Sequence, residues 1–161
     1  MSLLDVIFRR RSIRRYRSEP IPDEVLRNIL EAGRLAPSAD NAQPWHFIVV
    51  TESKIKEKLS GGRWNYFIKD SAVTVVGCGY SDNEWSTVDV ALALENMVIA
   101  AEAQGVGSCW IGDFEEEEVK ELLGIPDNLK VVALVSFGYP AEKPSPLNKK
   151  SLKEIVHYNK F

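Results

Sequence analysis

The sequence predicts a single α/β or α+β domain built on a mixed β-sheet, and three observations carry that prediction. Four apolar runs of strand length, at residues 46–50, 72–80, 108–112 and 130–139, interleave with segments of helical period. The chain has 161 residues, 45% of them hydrophobic, which suits one core. No internal repeat, low-complexity tract or dividing linker interrupts it, so residues 1–161 read as one domain.

Taken in order, the elements begin with a capping-box pattern at Ser2 and Asp5. Leu3, Val6, Ile7 and Arg10 then share one face of a first helix that ends near Arg10. Residues 11–17 read as a turn and an extended segment. Pro22, Asp23 and Glu24 open a second helix, because proline is tolerated in a first turn and acids suit the positive end of the helix dipole. Val25, Leu26, Ile29 and Leu30 give that helix a buried stripe, and it breaks near Pro37. A polar loop, PSADNAQPW at 37–45, leads into HFIVV at 46–50, an apolar run predicted to be buried on both faces. Residues 53–59 form a short helix with its lysines outward.

Residues 60–71, SGGRWNYFIKDS, are the least regular part, with two glycines for mobility and three aromatics, Trp64, Tyr66 and Phe67. AVTVVGCGY at 72–80 is a second buried strand. Residues 86–104 carry the longest helical pattern and are apolar over most of the circumference, which places that helix at the centre of a core or of a dimer. Gly105 stops it. SCWIG at 108–112 is a short strand. The four glutamates at 115–118 open a further helix that ends at Gly124, and the dipole alone accounts for their charge. KVVALVSFGY at 130–139 is the fourth strand. The proline-rich stretch AEKPSPLNKK then precedes an amphipathic helix that begins near Ser151.

Several function classes are excluded early. No apolar run approaches the roughly 18–20 residues of a membrane span. The N-terminal charges follow the apolar residues, opposite to a secretory signal, so a cytoplasmic protein is expected. The two cysteines, Cys78 and Cys109, sit in strand-like runs outside any CxxC pair and read as packing thiols. With only two histidines, His46 and His157, no zinc or haem site is expected. GxGxxG and GxxxxGK[ST] are both absent.

Charge is the first positive signal. Residues 8–17 read FRRRSIRRYR, with six arginines in ten residues, while the chain has a formal net charge of -3. Arginine donors match phosphate oxygens in pairs, and Ser12 adds a hydroxyl at a helix-to-extended transition. The stretch is a phosphate cradle or a solvated basic face. It lacks the aromatic interleaving of a single-strand nucleic-acid platform. A second candidate is the loop at 37–45, where Ser38, Asp40, Asn41 and Gln43 crowd together between prolines. Such groups read the edge of a polar ring or simply make turns. A third is GVGSCWIGDF at 105–114, where Gly112 ends a strand and lets backbone approach a flat ligand, or serves as a plain turn.

These segments together resemble the nitroreductase family of FMN-dependent NAD(P)H oxidoreductases, of which this chain is a short member. RRSIRRY, PSADNAQPWHF, AAEAQGVGSCWIGDF and GYPAEKPSPLNKKSLKEIVH occur in the family's order across nearly the whole chain. The resemblance implies an α+β fold, a mixed and mainly antiparallel sheet sandwiched by helices, in an intertwined homodimer. It implies that Arg10, Arg11, Ser12 and Arg14 grip the FMN phosphate and ribityl chain. Pro37, Ser38 and Ala39 would reach the flavin from the partner subunit, with Asn41 and Gln43 touching flavin or holding that loop. Ile111 and Gly112 would lie beside the flavin, the Gly112 N–H near the reactive N5, and no side chain would be catalytic. Lys149 or Lys150 would stand near the phosphate, in a position commonly held by arginine in relatives. Trp64, Tyr66 and Phe67 are the candidate substrate lid. The implied activity is ping-pong hydride transfer from NADH or NADPH to a nitroaromatic, quinone or flavin-type acceptor. The alternatives are a non-catalytic flavin-binding module and a same-fold dehalogenase or flavin-fragmenting enzyme. No metal, nucleic acid or membrane partner is implied.

Overall fold

A computed structural model describes residues 2–161. Helix α1 (Leu3–Arg9) starts at a complete capping box, with Ser2 accepting from the Asp5 N–H and Asp5 accepting from Ser2. An extended segment follows, then α2 (Asp23–Arg34), a 3₁₀ turn (Ala39–Asn41) and β1 (Trp45–Val50). Helix α3 (Ser53–Leu59), a second 3₁₀ turn (Tyr66–Asp70) and β2 (Val73–Tyr80) come next. Helix α4 (Ser86–Ala103), β3 (Gly107–Ile111), α5 (Glu116–Leu123), β4 (Leu129–Gly138) and a one-turn α6 (Leu152–Ile155) complete the order.

The four strands form one sheet in the order β1-β2-β4-β3, and every neighbouring pair is antiparallel. The mixed character expected of the sheet comes from the arginine segment, where Ser12 makes a parallel bridge to Ser108 on the free edge of β3. That bridge includes a hydrogen bond from the Ile13 N–H to the Ser108 carbonyl at 2.9 Å. Tyr16 bridges to Pro140 a few residues later.

Helices cover both faces of the sheet. Val73 and Val75 of β2 belong to a core cluster with Ile29 of α2 and Val90, Leu94 and Met97 of α4. Val76 and Cys78, alternating with them, join Leu59, Phe67, Ile68 and Val119 in the cluster on the opposite face. Gly77 allows α4 to sit close, since a Cβ there would come within 2.7 Å of Leu94 Cδ1 and 3.0 Å of Val90 Cγ1. Helix α4 buries eight residues, among them Asp89, which explains its nearly all-round apolar character. Both cysteines are free and buried.

Two expectations fail. The run at 46–50 is not buried on both faces: β1 is an edge strand paired only with β2, and His46 is exposed. Nor do all lysines of α3 point outward. Lys54 and Lys58 do, but Lys56 is 6% exposed and donates from Nζ to the Ser71 carbonyl. Its long aliphatic stem packs inward while the ammonium finds a backbone acceptor.

Candidate functional site

The arginine segment runs beside β3, so its alternating residues separate. Ser12, Arg10 and Arg14 all act on the buried Cys109 thiol of β3. Burial pushes that thiol up, and Arg14, the Ser12 hydrogen bond and Arg10 pull it back in part. Arg9 and Arg11 instead line a separate cavity of about 360 Å³, together with Ile13, Glu102 and Glu142. Arg11 also donates to the Phe8 carbonyl at 3.0 Å and the Arg10 carbonyl at 2.8 Å, which caps the end of α1. Of the four residues predicted to grip an anion, Ser12 bridges to Ser108 of β3, Arg14 lines a cavity with Trp110 and Ile111, Arg10 lies 3.9 Å from the Glu95 carboxylate that holds Trp110, and Arg11 closes a helix.

The end of β3 opens a cavity of about 460 Å³. Arg14, Trp110, Ile111, Gly112 and Asp113 line it, and Trp64, Tyr66 and Phe67 complete the wall. A Cβ added at Gly112 would meet no atom within 4 Å, so the backbone faces open space there. The three aromatics predicted as a lid do reach this cavity, but not equally. Trp64 is 66% exposed and Tyr66 is 55% exposed, whereas Phe67 is fully buried and forms a fixed wall.

Two hydrogen bonds tie the aromatic loop to Asp113 in the turn after β3, and a third closes the loop on itself. Asn65 Nδ2 donates to the Asp113 carbonyl at 2.7 Å, the Gly62 N–H donates to Asn65 Oδ1 at 2.8 Å, and the Trp64 N–H donates to Asp113 Oδ2 at 2.6 Å. Asn65, 2% exposed, is a positioning residue that sequence reading missed. A polar amide inside an aromatic run was the available signal. Glu95 was missed as well. It accepts from Trp110 Nε1 at 3.0 Å and lies 3.9 Å from Arg10 Nε, so one carboxylate orients a cavity wall and an arginine.

The loop at 37–43 does not reach this cavity within one chain. It folds against the start of α4, where the Ala39 N–H donates to both carboxylate oxygens of buried Asp89 at 3.3 Å. Ser38 Oγ accepts from the Gln43 N–H at 3.0 Å, and Gln43 Nε2 donates to the Asn41 carbonyl at 3.1 Å. Asp40, Asn41 and Gln43 adopt positive φ of 51°, 56° and 49°. Gln43 thus holds the loop, in a backbone conformation that asparagine and aspartate tolerate best. Pro37 is exposed beside it. Asp89 was missed too, although a lone acid inside an otherwise largely apolar half of α4 was a signal that could have found it. Lys149 and Lys150 are exposed in the stretch before α6, and neither lines the arginine cavities.

The fold thus sets an antiparallel sheet between helical layers, with a basic segment on its edge and an aromatic-lined cavity at the end of β3. Residues 7–61 and 60–139 match the nitroreductase family model, and the chain belongs to that family. It is 40% identical over 151 residues to a protein of Archaeoglobus fulgidus named as a candidate NADH dehydrogenase/NAD(P)H nitroreductase, the match covering 87% of this chain and 86% of the relative. An FMN-dependent nitroreductase of Clostridium difficile superimposes with a TM-score of 0.90 at 29% identity, over 98% of this chain and 99% of that one. The NADPH:FMN oxidoreductase of Vibrio harveyi, solved with NAD+, superimposes with a TM-score of 0.91 at 26% identity, over 99% of this chain and 77% of that one. The fold is the α+β fold implied by the sequence motifs. No helix among the described residues is long and apolar enough to cross a membrane.

Proposed function

We propose that the protein is an FMN-dependent oxidoreductase that takes hydride from NADH or NADPH and reduces a nitroaromatic, quinone or flavin-type acceptor, acting as a homodimer. The observation that carries this reading is the cavity at the end of β3, where Arg14 meets the open backbone of Gly112 between aromatic walls. The residues suit FMN: arginines for a phosphate, a hydroxyl at Ser12, flat side chains for a ring, and a glycine that leaves the ring room.

FMN, when bound, supplies the redox chemistry by accepting hydride and returning electrons to a second substrate. The chain supplies position and charge. Arg10 and Ser12 would hold the phosphate, and Arg14, at the cavity mouth, would favour negative charge on the ligand. Glu95 fixes Arg10 and Trp110 relative to each other. Phe67 forms a rigid floor, while Trp64 and Tyr66, exposed on a loop latched through Asn65, would cover a bound substrate and exclude water. Lys149 and Lys150 remain candidates for the phosphate through a second copy of the chain.

The dimer reading rests on apolar surface. Leu3, Leu4, Ile7 and Phe8 of α1 are exposed, as are Val88 and Leu92 of α4, against which α1 packs. Leu152, Ile155, Val156, Tyr158 and Phe161 are exposed at the C-terminus. Burying one such side chain is worth about 1.5–3 kcal/mol, so a second copy on this surface gives a large driving force. Dimerisation would also bring the loop at Pro37, Ser38 and Ala39 to the neighbour's cavity.

The test is FMN content. Purified protein should carry close to one FMN per chain and run as a dimer by light scattering. Arg10→Ala and Arg14→Ala should be isolated largely without flavin. Wild-type FMN content in both variants would overturn the assignment of the arginine segment.

A further inference from the structure

Beside the aromatic loop lies a second, larger cavity of about 610 Å³ whose lining, Arg14 and Tyr66 apart, has no part in the proposed flavin site. It shares Arg14 and Tyr66 with the cavity at the end of β3, so the two adjoin. Its lining carries five cationic side chains, Arg14, Arg15, Arg17, Lys56 and Lys69, and two carboxylates, Glu19 and Asp70. That local net charge of +3 stands in a chain whose net charge is -3.

The cations are not consumed equally by the protein. Arg17 is tied up, 3.3 Å from Glu19 and lying over the Tyr139 ring. Arg15 and Lys69 are exposed, and among the described residues neither side chain makes a hydrogen bond or an ion pair. Lys56 is buried, and its one hydrogen bond, to the Ser71 carbonyl, leaves two ammonium donors. Burial holds the Lys56 ammonium below its usual pKa, with Asp70 opposing the shift. An anion in the cavity would offset that desolvation. Like charges gathered around a concave space repel one another unless an anion joins them.

We propose that this basic cavity binds the phosphate groups of the nicotinamide dinucleotide donor. The inference rests on the oxidoreductase reading, since a nicotinamide placed against the flavin must extend its diphosphate and adenosine beyond that cavity. The basic cavity is the adjoining space with the matching charge. Arg15 and Lys69 provide exposed donors, and Lys56 anchors the floor. Two phosphate sources share this chemistry, the diphosphate common to both donors and the 2′-phosphate found only in NADPH.

Direct binding and kinetics test it on the flavin-loaded protein. Calorimetry at low salt compares adenosine, ADP and adenosine 2′,5′-bisphosphate. Phosphorylated ligands should bind at least tenfold tighter than adenosine, and Arg15→Ala and Lys69→Ala should each weaken them roughly tenfold. Equal tightening by ADP and the bisphosphate assigns the diphosphate, and tightening by the bisphosphate alone assigns the 2′-phosphate. The kinetic arm compares NADH and NADPH with a phosphate-free donor, reduced N-benzylnicotinamide. The variants should lose kcat/KM for the dinucleotides and keep it for the benzyl donor. Adenosine and its phosphates binding alike, or variants that oxidise both dinucleotides at the wild-type rate, would overturn the inference while leaving the flavin reading intact. A flavin that no donor reduces would refute the oxidoreductase reading, and the calorimetry would still decide the cavity.

Discussion

Replacing Asn65 with alanine should release the aromatic loop, and the structure sets the size of the effect. The Asn65 side chain is buried and makes two hydrogen bonds, from the Gly62 N–H at 2.8 Å and to the Asp113 carbonyl at 2.7 Å. The substitution removes both partners at once and leaves two half-buried backbone groups unpaired. Each costs about 1–3 kcal/mol when shielded from water and falls in the lower part of that range when half-buried, so a loss of about 2–4 kcal/mol is expected. The loss should register globally, because fully buried Phe67 and Ile68 follow directly and tie the loop to the core. Asp113→Ala is the internal control. It removes only the bond from the exposed Trp64 N–H and keeps the backbone carbonyl that Asn65 needs, so about 1 kcal/mol is expected. Urea unfolding followed by tryptophan fluorescence measures both, and with a slope of about 2 kcal/mol/M the Asn65→Ala midpoint should fall by about 1–2 M. An Asn65→Ala loss below about 0.5 kcal/mol, or a larger loss in Asp113→Ala, would refute the latch.

Other expectations concern backbone and thiols. Gly124 closes α5 in the left-handed region at φ 65°, with open space where a Cβ would stand. Gly124→Ala should therefore cost about 1 kcal/mol by backbone strain alone and lower the thermal midpoint by about 2–4 °C; an unchanged midpoint would contradict this. Burial raises the Cys78 thiol to about 11, from 9.0. A folded pKa above the unfolded one gives stability that is complete below pH 9 and lost as pH climbs through the folded value. Unfolding free energy should thus decline between about pH 9 and 11, and Cys78→Ala should remove on the order of 2 kcal/mol of that decline. Identical alkaline slopes in the two proteins would show that Cys78 does not contribute.

Much of this was written in the sequence, for identifiable physical reasons. Helix starts were legible where side chains satisfy orphan N–H groups, as at Ser2 and Asp5, and stops where a glycine takes positive φ, as at Gly105 and Gly124. The apolar run of β1 was misread because composition does not report which strands pair, and an edge strand that packs its inward side chains under helices can look like a central one. Lys56 was misread because a helical stripe says which face is buried but not that an ammonium will find a carbonyl there. The arginine cluster signalled an anion site, yet only the register against β3 separates Arg10, Ser12 and Arg14 from Arg11. Asn65, Asp89 and Glu95 escaped notice because each acts through a backbone group or a side chain distant in sequence.

The most direct test of the central claim is an absorption spectrum of the purified protein, repeated without oxygen after addition of NADPH and then NADH. The account predicts a yellow protein whose flavin band bleaches with at least one donor and returns when a quinone or nitroaromatic is added. A colourless protein that cannot be reconstituted with FMN, or a bound flavin that neither donor bleaches, would contradict it.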